Sequence, residues 1–255
     1  MSKMPIIFIG HGSPMNAIEN NRFTEKWEAM GQVLPTPKAI LAVSAHWYTN
    51  GLKIMDNEHP KMIYDMYGFP DELYQLVYSA QGSPHFARRV KECLSLPAVM
   101  DQSWGYDHGA WSVLRRMFPH ADIPVFQVSV NRIASPKEHF RLGQELAVLR
   151  QEGVLIFGSG NVVHNLGRVD WSVSAGLPWA DEFDEYVKAN IVTRNYDRVI
   201  AYEKAGPSAQ LAFGSLDHFA PLLTVLGAAE RTDQIVVFNE ERIMGSLSMT
   251  SYLFQ

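Results

Sequence analysis

The stretch Ile6-Ile7-Phe8-Ile9-Gly10-His11-Gly12-Ser13-Pro14 frames the whole chain. Its four consecutive apolar residues, three of them β-branched, show no polar alternation. Such a run reads as a strand buried on both faces, the kind that parallel sheets use. It stops on a glycine and hands over to a histidine. The pattern recurs where Ala39–Ser44 runs into Ala45-His46-Trp47. It recurs again where Val154–Phe157 runs into Gly158-Ser159-Gly160-Asn161-Val162-Val163-His164. Two more apolar runs, Val125–Val130 and Ile235–Phe238, have the same character. Between them, helical patterns occupy Phe23–Met30, Pro84–Leu94, Ala110–Met117, Pro136–Arg150, Trp179–Val192 and Phe219–Gly227. Pro84 and Pro136 suit a first helical turn, where a missing N–H costs nothing, and Ser135 suits an N-cap. Alternating strands and helices predict an α/β fold. The expected architecture is a single domain over residues 1–255, with a central, mostly parallel or mixed sheet, helices on both faces, and a site at the carboxyl ends of the strands.

Composition narrows the function classes. The 255 residues are 47% hydrophobic and 19% charged, enough for a sizeable core. A formal charge of −5 without clustered Lys and Arg speaks against a nucleic-acid partner. The single cysteine, Cys93, falls in an amphipathic helical segment and reads as a buried thiol. One cysteine forms no intramolecular disulfide, which fits a reducing compartment. The first apolar run is too short for a signal sequence or a membrane span. The expectation is a cytoplasmic protein without a membrane partner, a monomer or small homo-oligomer.

The chemistry collects on histidine. Nine are present. His11, His46 and His164 follow predicted strands, so parallel pairing would bring three imidazoles from distant positions to one pocket. Imidazole is a ligand of Fe, Zn and Ni. His108 and His218 each follow an aspartate, Asp107 and Asp217, at the start of a helical segment. The Gly158–Gly160 turn also admits reading as an anion nest. The Tyr-, Pro- and Gly-rich stretch from Asn50 to Gly82 reads as an irregular loop that covers a site. His59, His85, His120 and His139 read as surface or cap residues.

An ordered set of motifs carries a family resemblance. The set comprises Gly10-His11-Gly12-Ser13-Pro14, Ser44-Ala45-His46-Trp47 and Trp104-Gly105-Tyr106-Asp107-His108-Gly109. It continues with Gly158-Ser159-Gly160-Asn161-Val162-Val163-His164-Asn165 and Met244-Gly245-Ser246-Leu247-Ser248-Met249. Together these resemble the bacterial 4,5-DOPA extradiol dioxygenases, within the superfamily of protocatechuate 4,5-dioxygenase catalytic subunits. The resemblance covers residues 5 to 250.

What it implies is a class III extradiol dioxygenase. Such an enzyme uses O₂ to open the ring of DOPA, by 4,5-cleavage to a muconate semialdehyde, or of a related catechol. The resemblance implies one mononuclear divalent metal, with Fe(II) for catalysis and Zn(II) expected in purified protein. His11 and His46 match the early metal ligands. Where the protocatechuate enzymes carry a late Glu, this chain has His218, with Asp217 as the alternative oxygen ligand. His164 matches the catalytic base and is open to a second role as fourth metal ligand. His108 matches a further active-site histidine. Asp107 is the expected partner of the substrate ammonium, and Tyr106 or Trp104 would flank its ring.

Two other readings use the same histidines. One is a zinc hydrolase or deaminase, which keeps a metal-bound water beside an acidic base. The chain lacks the H-E-x-x-H, H-x-x-E-H and C-x-x-C spacings that would support it. The other is a non-enzymatic binding protein with the same metal pocket, since a fold does not fix an activity.

Overall fold

In the computed structural model, which describes residues 3–255, the apolar runs assemble into one six-stranded sheet. Its strands are β1 (Ile6–Gly10), β2 (Ala39–Ser44), β3 (Val125–Gln127), β4 (Val154–Gly160), β5 (Ile235–Phe238) and β6 (Ser251–Phe254). The spatial order is β3-β2-β4-β1-β6-β5. The pairs β3/β2, β2/β4 and β4/β1 are parallel, whereas β6 runs antiparallel to both β1 and β5. The sheet is therefore mixed, with a parallel core. Every residue of β1, β2 and β4 is buried, which explains why these runs carry no polar alternation.

The main helices are α1 (Arg22–Val33), α2 (Pro84–Cys93), α3 (His108–Met117), α4 (Pro136–Leu146), α5 (Pro178–Val192) and α6 (Ala220–Ala228). Ser83 caps α2 ahead of Pro84, and a reciprocal Ser135–Glu138 capping box opens α4. Two adjacent residues of β4 define the layers. A Cβ on Gly158 would stand 2.6 Å from Val225 of α6, while the hydroxyl of Ser159 donates to Gly109 O of α3 at 2.6 Å. Successive strand residues face opposite ways, so α6 and α3 lie on opposite faces of the sheet. All nine residues of α6 are buried, as expected of a helix apolar on every side. Against it, the fully buried Arg150 holds both carboxylate oxygens of Asp233 and donates to the carbonyls of Met4 and Ala228.

Several expectations change. The Val125–Val130 run splits: Val125–Gln127 joins the sheet, and Val130–Asn131 pairs with Tyr48–Thr49. The Gly158-Ser159-Gly160 segment is the extended end of β4 and not a turn, which removes the anion-nest reading. The Asn50–Gly82 stretch contains a strand, Leu52–Met55, paired with Ala98–Asp101, and a short helix, Asp71–Gln75. Cys93 is half-buried, in place of the expected buried thiol. No helix among the described residues is long and apolar enough to cross a membrane.

Candidate metal centre

The end of β4 is the platform for the site. Because β1 and β2 flank β4, the residues that follow them emerge on its two sides. His11 N donates to Gly160 O at 3.0 Å, and Ala45 N donates to Ser159 O at 2.9 Å. These bonds fix the backbone of His11 and of the residue before His46 to one strand end. His218 arrives from the segment ahead of α6. Its carbonyl accepts from Asn161 N at 3.0 Å, and a Cβ on Gly160 would stand 2.1 Å from that same oxygen. Only glycine permits this approach. The result is that His11, His46 and His218 place ligand atoms all within 4.8 Å of one another.

Each of the three rings is oriented from outside. His11 Nδ1 lies 2.9 Å from Ser159 Oγ, and that hydroxyl gives its own proton to Gly109 O, so it accepts from the imidazole. His46 Nδ1 lies 3.0 Å from Asp65 Oδ2, and His218 Nδ1 lies 3.0 Å from Asp217 Oδ1. Protons on all three Nδ1 atoms leave lone pairs on the Nε2 atoms. The Nε2 atoms of His11 and His46 are 3.2 Å apart, and His218 Nε2 is buried without a hydrogen-bond partner. Facing lone pairs and an orphaned buried acceptor are costly unless a proton or cation sits among them. Three neutral imidazoles suit a divalent transition ion, so these residues fit the metal that the resemblance implies.

Charge supports the same use. Burial, and then the charges of the neighbouring histidines, pull His11 and His218 well below the ordinary imidazole range, so both are neutral near pH 7. Burial acts in the same direction on His46. There it is outweighed by the hydrogen bond to Asp65 and the charges of Asp107, Asp65 and Asp217, which raise it. Burial alone would raise Asp65, but hydrogen bonds from His108 and His46 hold its carboxyl well below the usual carboxylate range. The position of His46 therefore attracts positive charge.

Two further histidines border the trio. The His108 ring lies 3.8 Å from that of His46, centre to centre, and its Nδ1 and backbone N contact Asp65 Oδ1 at 3.0 and 2.9 Å. His164 stacks on His218 and stands outside the group of mutually close ligand atoms. Burial pushes its imidazole down to about 4, with the charges of His46 and His108 adding and that of Asp217 opposing. His59, His85 and His120 are exposed, and His139 is buried on α4.

The structure corrects the roles expected of Asp107 and Tyr106. Both are completely buried. Asp107 caps α3 by accepting from Ala110 N, and also accepts from Ser44 Oγ, Gln127 Nε2 and Trp104 Nε1. Its oxygens have no capacity left for a ligand's ammonium. The Tyr106 hydroxyl lies against backbone carbonyls, nearest to Val125 O at 2.9 Å, so its ring is framework and does not flank a substrate. Trp104 stacks on Trp47, with ring centres 5.7 Å apart. Asp217 turns its carboxylate onto the backbone N and Nδ1 of His218 and not into the trio. The residue that sequence reading missed is Asp65. A signal existed: metal-binding histidines regularly give Nδ1–H to a carboxylate, and Asp65 lies in the loop expected to cover the site.

The chain is also similar to known proteins over nearly its whole length. Residues 4–254 match the family described as the catalytic LigB subunit of aromatic ring-opening dioxygenase. The chain is 44% identical to the 4,5-DOPA dioxygenase extradiol of Escherichia coli K12, over 98% of this chain and 94% of that protein. It is 38% identical to the Beta vulgaris protein of the same name, over 97% and 95% of the two chains. The crystal structure of an uncharacterized Escherichia coli K12 protein superposes with a TM-score of 0.87 at 41% identity, covering 99% of this chain and all of that one. From the strand-end histidines to the near-complete span of the match, this protein belongs to the family of the catalytic LigB subunit of aromatic ring-opening dioxygenases.

Proposed function

We propose that this protein opens the ring of DOPA, or of a closely related catechol, by extradiol 4,5-cleavage with O₂. The reaction takes place at one divalent metal held by His11, His46 and His218. The observation that carries this reading is the buried trio of imidazoles whose Nδ1 atoms are all engaged from outside. The choice of DOPA follows the names of the Escherichia coli and Beta vulgaris relatives. When bound, Fe(II) supplies the electron path between catechol and O₂ that neither substrate has alone. Zn(II) fits the same imidazoles, lacks a redox change, and is the ion expected in purified protein. Both oxygen atoms enter the product, one in a carboxylate and one in an aldehyde, so no outside reductant is consumed.

The side chains divide the remaining work. His164, with its pKa at about 4, is neutral at physiological pH and free to accept a proton from a catechol hydroxyl. Its place beside the trio favours this base role over that of a fourth ligand. His108 keeps its proton on Nδ1 toward Asp65 and offers Nε2 to the substrate as a hydrogen-bond acceptor. Asp65 and Asp217 bring two negative charges to the rim of three neutral imidazoles. They offset the dication's charge, a task that a ligand carboxylate performs in two-histidine-one-carboxylate sites. His11, His108 and His218 are all buried, so little bulk water competes for these groups.

The test is anaerobic loading with Fe(II), followed by mixing with DOPA and a panel of catechols in air. Uptake of O₂ with a growing yellow absorbance is the expected result. No uptake with any catechol, in protein of full iron content, would refute the proposal.

A further inference from the structure

We infer that Asp65 is a positioning residue that joins His46 to His108 through a single carboxylate, and so sets the proton positions of both rings at once. The inference rests on the assignment of His46 as a metal ligand. Asp65 Oδ2 lies 3.0 Å from His46 Nδ1, and Oδ1 lies 3.0 Å from His108 Nδ1 and 2.9 Å from His108 N. An ionised carboxylate only accepts hydrogen bonds. Both imidazoles must therefore carry a proton on Nδ1, and each in its neutral form exposes a lone pair on Nε2. For His46 that lone pair faces the trio. For His108 it is left for the substrate.

The chain holds this carboxylate in place firmly. Ile63 N donates to Tyr106 O at 2.7 Å, and Tyr106 N donates to Lys61 O at 2.8 Å. Trp111 Nε1 adds a bond to Ile63 O at 3.2 Å. The segment just before Asp65 is thus laced to the residues just before His108. This gives buried Tyr106 its purpose: its backbone sets the distance between the two partners that Asp65 must span.

An amide cannot do the same work. In Asp65→Asn the side chain would present one acceptor and one donor, so one of the two rings would have to offer a lone pair at Nδ1 and move its proton to Nε2. The backbone N–H of His108, which donates to Oδ1, holds the amide oxygen on the His108 side, so the amide NH2 faces His46 Nδ1 and His46 is the ring that loses its acceptor. The experiment is run on zinc-loaded and zinc-free protein and needs no turnover. Zinc affinity is measured by competition with a chromophoric chelator, and imidazole tautomers by long-range ¹H–¹⁵N correlation of histidine-labelled protein. Asp65→Asn is expected to weaken zinc binding roughly 10–100-fold, the usual cost of losing an outer partner. In the zinc-free protein it is also expected to move the His46 proton from Nδ1 to Nε2. Asp65→Glu, again acceptor-only, is expected to restore the Nδ1–H form of His46 and serves as the control for folding.

Unchanged zinc affinity and unchanged tautomers in Asp65→Asn would overturn the inference. So would two zinc ions per wild-type chain with one lost in Asp65→Ala, because Asp65 would then be a ligand. Zinc binding that survives His46→Ala intact would remove the ligand assignment on which it rests. Protein that behaves as expected with zinc but opens no catechol when loaded with Fe(II) would fail the functional proposal and leave the role of Asp65 standing.

Discussion

The imidazoles of His164 and His218 lie face to face, with ring centres 3.5 Å apart and planes within 4° of parallel. Only one of the pair belongs to the inward trio, so the same stack holds two different kinds of group. Replacing His218 with Ala should empty the site of metal. Replacing His164 with Ala should keep most of the metal and lower turnover roughly 10²–10⁴-fold, the range for loss of a general base. Elemental analysis beside steady-state rates reads both. Metal loss in His164→Ala with retention in His218→Ala would reverse the roles, and loss in both would point to four histidine ligands.

Gly160 should be intolerant of a single methyl group. A Cβ there would overlap the His218 carbonyl, a backbone atom that cannot rotate away. Gly160→Ala is expected to push the segment bearing His218 off the end of β4, with zinc affinity falling by roughly tenfold or more, the scale of losing a ligand's support. Far-ultraviolet circular dichroism should stay native. Wild-type affinity in this variant would show that the segment adapts.

Metal identity should separate binding from chemistry. Zinc-loaded protein is expected to bind a catechol without consuming O₂, because zinc has no accessible redox change. The same preparation stripped and loaded with Fe(II) is expected to consume O₂ on mixing. Fe(II) in buffer and Fe(II) with His11→Ala protein control for unaided oxidation. Equal turnover by an iron-free zinc form would disprove the redox requirement.

His139 should make stability depend on pH. It is buried, and burial pushes its imidazole down to about 4, against an ordinary value near 6.5. The unfolded chain then binds the extra proton first as pH falls. The contribution is fully present above about 6.5 and is lost as pH drops toward 4. About 2 kcal/mol should be gone between pH 7.5 and pH 5. Urea midpoints at the two pH values, compared between wild type and His139→Gln, isolate this share. An identical drop in both proteins would assign the dependence to other groups.

Much of this architecture is legible from short-range pattern. The Ala39–Ser44 strand has the boundaries that its apolar run suggests, because a strand buried on both faces has little room for polar residues. Ile235–Phe238 keeps its boundaries too, although it is an edge strand in which only Phe238 is buried. The His11 and His46 loops stand out because a glycine or alanine follows a buried run and then delivers an imidazole. Strand β6 does not stand out: Ser251–Phe254 mixes polar and apolar residues, and β1, which it pairs with, is far away in sequence. Asp107 and Tyr106 mislead because neighbours in a turn face different ways. Proximity to His108 in sequence brings them close to the site but directs both side chains into the framework. Asp65 escapes notice for the converse reason, lying more than forty residues from His108 and in contact with it.

The three inward imidazoles come from near the start of the chain and from near its end. An ion bound among them would act as a cross-link, tying β1 and β2 to the segment before α6 in the native state alone. By mass action, free ion at a hundred times its dissociation constant adds about 2.7 kcal/mol to the folded state. Thermal stability would therefore follow metal supply, and a chelator would weaken the whole fold along with the activity. Protein starved of its ion would be the population that proteases clear first.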